Sequence, residues 1–145
     1  MKLSTKGRYG VRLMVDLALH YGEGQILLKD IAERQEISEK YLWQLIPPLK
    51  NAGLLSSIRG AHGGYMLTKP LAQITLKDIV IAVEGPMCLV DCVDNPSACS
   101  RADTCASRDV WCEISEKILQ TLQAITLEKL VEQQQRKTKA FTYVI

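Results

Sequence analysis

All five cysteines of this 145-residue chain fall within residues 88–112, CLVDCVDNPSACSRADTCASRDVWC. The other 120 residues contain none. Clustered thiols in a cytosolic chain point to metal binding or redox sensing, because structural disulfides are rare in that compartment. Four chemistries are open to the window: an iron–sulfur cluster, reversible thiol or disulfide switching, structural zinc, or no ligand. Zinc fits poorly, since closed tetrahedral sites use four Cys or His ligands in short C-x2–4-C pairs. The only such pair here is Cys88 and Cys92. Soft thiolates on a loop that can wrap a cluster match iron well. A thiol oxidoreductase would show C-x-x-C at a helix start, and that spacing does not occur. With His20 and His62 the only histidines and no phosphate-cradling glycine loop, no enzyme is expected.

The remaining chain must position this window. Hydrophobic residues make up 47% of the sequence, ordinary for a globular fold. No apolar run reaches the roughly 18 residues of a membrane helix. The opening MKLSTKGRYGVR has no apolar core and no small-residue cleavage site, which predicts a cytoplasmic protein. Residues 1–70 carry a charge of +4 and residues 71–145 a charge of −2, together the +2 of the whole chain. A basic front half suits nucleic acid.

Periodicity predicts a mainly α fold. Ser4 or Thr5 caps a first helix with Leu13, Met14, Leu17, Ala18 and Tyr21 inward and Arg12 paired with Asp16 at i,i+4. Leu28–Gln35 is a short second helix, and Ser38 caps a third whose core face is Leu42, Leu45, Ile46 and Leu49. Pro47 and Pro48 lie inside that third helix, which predicts a kink near residues 43–47. Two strands, 54–58 and 65–68, flank the glycine-rich turn RGAHGG, and a helix follows from Thr75 to Glu84. Helix, turn, helix and hairpin make a winged helix-turn-helix. Asp103 is expected to cap a long helix striped by Trp111, Ile114, Ile118, Leu122 and Ile125, and its N-terminus should favour the Cys105 thiolate. Such a lone stripe needs a partner, and a twofold mate in a homodimer supplies one. A shorter helix then leads through EQQQRKTK to the tail. The expected organisation is a DNA-binding domain at 1–84, a cysteine loop at 85–102, a dimerisation helix at 103–125 and a C-terminal helix and tail at 126–145.

On the outward face of the third helix, Ser38, Lys40, Tyr41 and Gln44 are the nominated DNA contacts. Gln reads adenine bidentately, while Lys and Ser hold phosphate. Arg59 and His62 in the wing, and Lys6 and Arg8 on the first helix, are further backbone candidates.

The segments STKGRYGVRLMVDLA, ISEKYLWQL, NAGLLSSIRGAHGGYML and VWCEIS…ITLEKL resemble the winged-helix repressor family of the iron–sulfur cluster assembly regulator. That family includes a nitric-oxide-sensing repressor and a cysteine-metabolism repressor. The resemblance runs nearly end to end and implies a homodimer on a near-palindromic double-stranded operator. It places a base-selecting glutamate where this chain has Trp43. It implies a 2Fe–2S or 4Fe–4S cluster on three loop cysteines, spaced C-x5-C-x5-C. Here Cys92, Cys99 and Cys105 read C-x6-C-x5-C. The family's fourth ligands, a histidine or an N-terminal acid, fall on Arg108 and about on Arg8, neither of which ligates, so Cys88 is the nearest substitute. Cys112 is too far along the helix, about 10 Å from Cys105 at 1.5 Å per residue. The ending Tyr143-Val144-Ile145 resembles C-terminal peptides that dock carboxylate-first into cysteine synthase. A tail folded on its own domain is the alternative.

Overall fold

The computed structural model describes residues 2–144. Helix α1 (Thr5–Leu19) starts where the Ser4 hydroxyl accepts the Lys6 N–H. α2 (Leu28–Gln35) and α3 (Glu39–Asn51) follow, and the Ser38 hydroxyl caps α3 by accepting the Tyr41 N–H at 3.1 Å. The antiparallel hairpin pairs β1 (Leu55–Ile58) with β2 (Gly64–Leu67), in the register Leu55 to Leu67 and Ile58 to Gly64. α4 (Leu76–Glu84) opens with a full capping box between Thr75 and Asp78. A one-turn helix α5 (Asp91–Asp94) and two 3-10 turns carry the chain to α6 (Ala106–Ala124) and α7 (Leu127–Val144).

The core gathers Leu13, Met14 and Leu17 of α1, Ile31 of α2, Leu42, Leu45 and Leu49 of α3, and Ile79 and Val83 of α4. Leu127 and Val131 of α7 are buried in the same cluster. The Leu127 N–H donates to the Ile74 carbonyl at 2.8 Å and the Leu76 N–H to Ile125 at 2.7 Å, stitching the start of α7 to the start of α4.

Four local expectations are corrected. Arg12 does not pair with Asp16; its guanidinium donates to the Gln35 side chain and backbone carbonyl instead. Asp16 is buried and accepts from Arg34 and Gln35, because α2 brings a better donor set than the same helix offers. Tyr21 lies past the end of α1 and is exposed rather than inward. The helix assignment of α3 runs through Pro47 and Pro48, the stretch beside the expected kink. The prolines remove the amides that would bond the Trp43 and Gln44 carbonyls, and those two residues sit on the exposed face where water replaces the lost donors. The cap of α6 is Cys105, with Asp103 in the preceding 3-10 turn. Finally, the C-terminal stretch is helical through Val144 rather than a short helix and an extended tail.

Candidate nucleic-acid interface and cysteine loop

Helical spacing places Lys40, Trp43, Gln44 and Pro47 on one stripe of α3, and all four are exposed. The buried positions Leu42, Leu45, Ile46 and Leu49 anchor the opposite side in the core. The nominated residues divide in their roles. Lys40 and Gln44 point a cation and an amide outward. The Ser38 side-chain oxygen accepts the Tyr41 N–H, which leaves its hydroxyl proton free to donate to a phosphate. Tyr41 is half-buried and packs edge-to-face on Tyr9 of α1, with ring centres 5.4 Å apart. It braces α3 rather than presenting a free ring. Lys6 and Arg8 are exposed at the start of α1, and Arg59 and His62 are exposed in the wing.

Between α3 and the wing runs a groove of about 860 Å³, lined by Trp43, Pro47, Lys50, Arg59, Leu27 and Lys29 among others. Lys29, Lys50 and the groove itself carry no local sequence signal of an interface. Lys50 was legible only as a basic residue in the last turn of α3, and its ammonium donates to the Ser57 hydroxyl on β1 at 2.7 Å. The wing is held by Gly64, whose φ of +154° suits glycine, and by paired bonds of 2.8 Å between Ile26 and Tyr65.

Glu84 ends α4 and reaches back to α1. Its carboxylate accepts the Ser4 N–H at 3.1 Å, the Gly7 N–H at 2.9 Å and the Ser4 hydroxyl. An anion on the free amides of a helix N-terminus is a favourable arrangement. Gly85 opens the cysteine loop at once, and its first cysteine, Cys88, lies three residues later.

Within the loop, all five cysteines are free: Cys99 is exposed, and Cys88, Cys92, Cys105 and Cys112 are half-buried. The Asp94 carboxylate accepts from the Cys88 thiol and, with partial desolvation and the charge of Asp91, pushes that thiol's pKa up. The two neighbouring carboxylates thus disfavour the thiolate form of Cys88. The Arg108 Nε donates to the Cys92 carbonyl at 2.9 Å, tying the first turn of α6 to α5. The residue that stands in a ligand's place is therefore a strut. The thiols have the donor chemistry of an iron–sulfur site, but among the described residues no three His, Cys, Asp or Glu side chains gather as a metal site.

A helix-turn-helix that turns Lys40 and Gln44 outward beside a cationic wing defines a winged-helix DNA-binding transcriptional regulator. The chain belongs to the Rrf2 family, described as an iron-dependent transcriptional regulator, which it matches over residues 3–133. It is similar to the HTH-type transcriptional regulator CymR of Bacillus subtilis (strain 168), at 41% identity over 145 residues and the full length of both chains. It is also similar to the HTH-type transcriptional regulator IscR of Photorhabdus laumondii, at 41% identity over 93% of this chain and 82% of that one. The solved structure of CymR, the global cysteine regulator of B. subtilis, superposes with a TM-score of 0.76 at 42% identity, covering 91% of this chain and 97% of that chain. No helix among the described residues is long and apolar enough to cross a membrane.

Proposed function

We infer that this protein is a homodimeric, non-enzymatic cytoplasmic repressor that binds a near-palindromic duplex operator through α3 and the wing, and that the cysteine loop tunes that binding. The observation that carries the reading is the Glu84 clasp. One residue closes α4, holds the amides at the start of α1 beside Lys6 and Arg8, and leads directly into the cysteine loop. A change of loop order pulls on Glu84 and so on the phosphate-contacting end of α1. The dimer rests on α6, where Trp111 and Ile114 are exposed and Ile118 and Leu122 are only half-buried. A second copy covers this stripe.

Operator binding separates the roles on α3. Lys40→Ala is expected to weaken binding to all duplexes alike and to lower the salt slope by about one per subunit, as loss of a phosphate contact does. Gln44→Ala is expected to cost about 1–3 kcal/mol on the preferred operator and little on random duplex. Titration of both variants against both duplexes at several salt concentrations checks this; identical behaviour of the two variants would refute the division.

Two chemistries suit the loop. Donor type supports an iron–sulfur cluster, 2Fe–2S or 4Fe–4S, on Cys92, Cys99 and Cys105 with Cys88. When bound it supplies a redox-active centre. Anaerobically purified protein is then expected to be coloured, with equal iron and sulfide, and to differ from the colourless form at least about fivefold in operator affinity. Equal affinities sink the coupling. The similarity to CymR, the global cysteine regulator of B. subtilis, supports the other chemistry, cluster-free thiol switching in cysteine or sulfur metabolism.

The same second reading includes cysteine synthase as a partner. Phe141 and Tyr143 project from the end of α7, Tyr143 with 90% of its surface exposed. Ile145 lies outside the described residues, as does the Val144 side chain. Deleting residues 142–145 is expected to abolish capture of cysteine synthase while leaving operator affinity within about twofold. Unchanged capture refutes a docking tail.

A further inference from the structure

Trp43 is 55% exposed on the face of α3 that carries Lys40 and Gln44. Its ring is not loose. Tyr65 of β2, itself buried, meets it edge-to-face with ring centres 6.3 Å apart and planes at 83°. An indole held in place but left open to water presents a rigid apolar surface at little entropic cost on binding. The groove beside it mixes two chemistries. Lys29, Lys50 and Arg59 supply cations, while Leu27, Ile58 and Pro47 supply apolar surface. A partner that satisfies both has a regular polyanionic backbone and apolar groups at fixed depth between its charges. Duplex DNA is such a partner, and the one apolar group in its major groove is the thymine C5-methyl.

We propose that Trp43 is a specificity-determining residue that reads thymine through its C5-methyl in each operator half-site. This rests on the operator-binding reading above and adds a base to it. Gln44, one residue on, is placed to read the neighbouring pair, so the two together favour adjacent A·T pairs. The indole N–H is a donor only and cannot accept from cytosine N4, so cytosine in place of thymine loses the methyl contact and leaves its amine without an acceptor from the ring.

The test uses the full-length chain. Duplexes are selected from a random library by the wild type, Trp43→Ala, Trp43→Phe and Trp43→Glu. The wild-type selection is expected to hold thymine at one symmetric pair of positions. Trp43→Glu is expected to exchange it for cytosine, whose N4 donates to a carboxylate. Replacing that thymine by deoxyuridine removes only the methyl. The expected loss for the wild type is about fourfold per half-site and about fifteenfold for both, the worth of one buried methyl each. Trp43→Ala should show no loss and Trp43→Phe a part of it. Trp43 is exposed, so the variants are expected to fold, and retained binding to random duplex at low salt confirms it. Deoxyuridine without effect at every thymine, or an unchanged selection by Trp43→Ala, overturns the proposal and makes the ring a backbone or protein contact. If the wild type selects no duplex at all, the operator-binding reading fails with it.

Discussion

Replacing Asp16 by alanine is expected to lower the stability of the protein by about 2–3 kcal/mol, read as a fall in the urea midpoint. The Asp16 side chain keeps 2% of its surface in water. Its carboxylate accepts from Arg34 at 2.7 and 3.1 Å and from Gln35 at 3.0 Å. The carboxylate also holds the Arg34 guanidinium above its ordinary pKa, chiefly through that hydrogen bond. Removing one partner of a buried ion pair costs about 3–5 kcal/mol, because the other charge is stranded. Arg34 keeps 37% of its side-chain surface exposed, so water recovers part of the loss and the lower figure applies. Asp16→Asn, which keeps one acceptor, should lose about half as much. Operator affinity should fall as well, since this network fixes the first helix of the helix-turn-helix to α1. A loss below about 0.5 kcal/mol for the alanine variant would mean the network adds nothing to the fold.

Gly64→Ala is the second large effect, expected at about 3 kcal/mol with operator affinity reduced more than tenfold. A Cβ at Gly64 would lie 2.6 Å from the Ile26 carbonyl oxygen and 2.8 Å from its carbon. Both are backbone atoms, so no side chain can yield. The φ of +154° adds strain for any L side chain. Relief requires breaking the paired 2.8 Å bonds between Ile26 and Tyr65, which hold the wing against the segment before α2. Moving Tyr65 also removes the support of Trp43. Gly60→Ala is the control. It too has positive φ, at +116°, but a Cβ there meets nothing within 4 Å. Its cost should be about 1 kcal/mol, with the wing left in place. Equal losses for the two would show that backbone strain, and not the Ile26 contact, sets the effect.

The helices of the front half were legible because their signals are local. Ser4, Ser38 and Thr75 cap the helices that begin one residue later, and the apolar spacing of Leu42, Leu45, Ile46 and Leu49 names the buried side of α3. Two short apolar-bounded segments flanking the glycines of RGAHGG were enough for the hairpin. Lys40, Gln44, Arg59 and His62 follow from those elements, since a residue opposite a known core face must be exposed. The cysteine window was legible in chemistry but not in geometry. With no periodicity in residues 88–105, nothing local says how near the thiols lie.

The sequence by itself determined the helices and hairpin of residues 4–84, the buried side of α3, and that a basic recognition face and five thiols share one chain. Capping, periodicity and turn chemistry act over four or five residues, and they are written there. Tertiary structure alone decided that Asp16 turns from Arg12 to Arg34, that Glu84 clasps the start of α1, that Arg108 holds Cys92, and that Leu127 and Val131 complete the core of the DNA-binding half. Each of these joins residues at least 16 positions apart in the chain. Whether a carboxylate finds its own helix or another depends on which donors packing brings within 3 Å, and no local pattern carries that information.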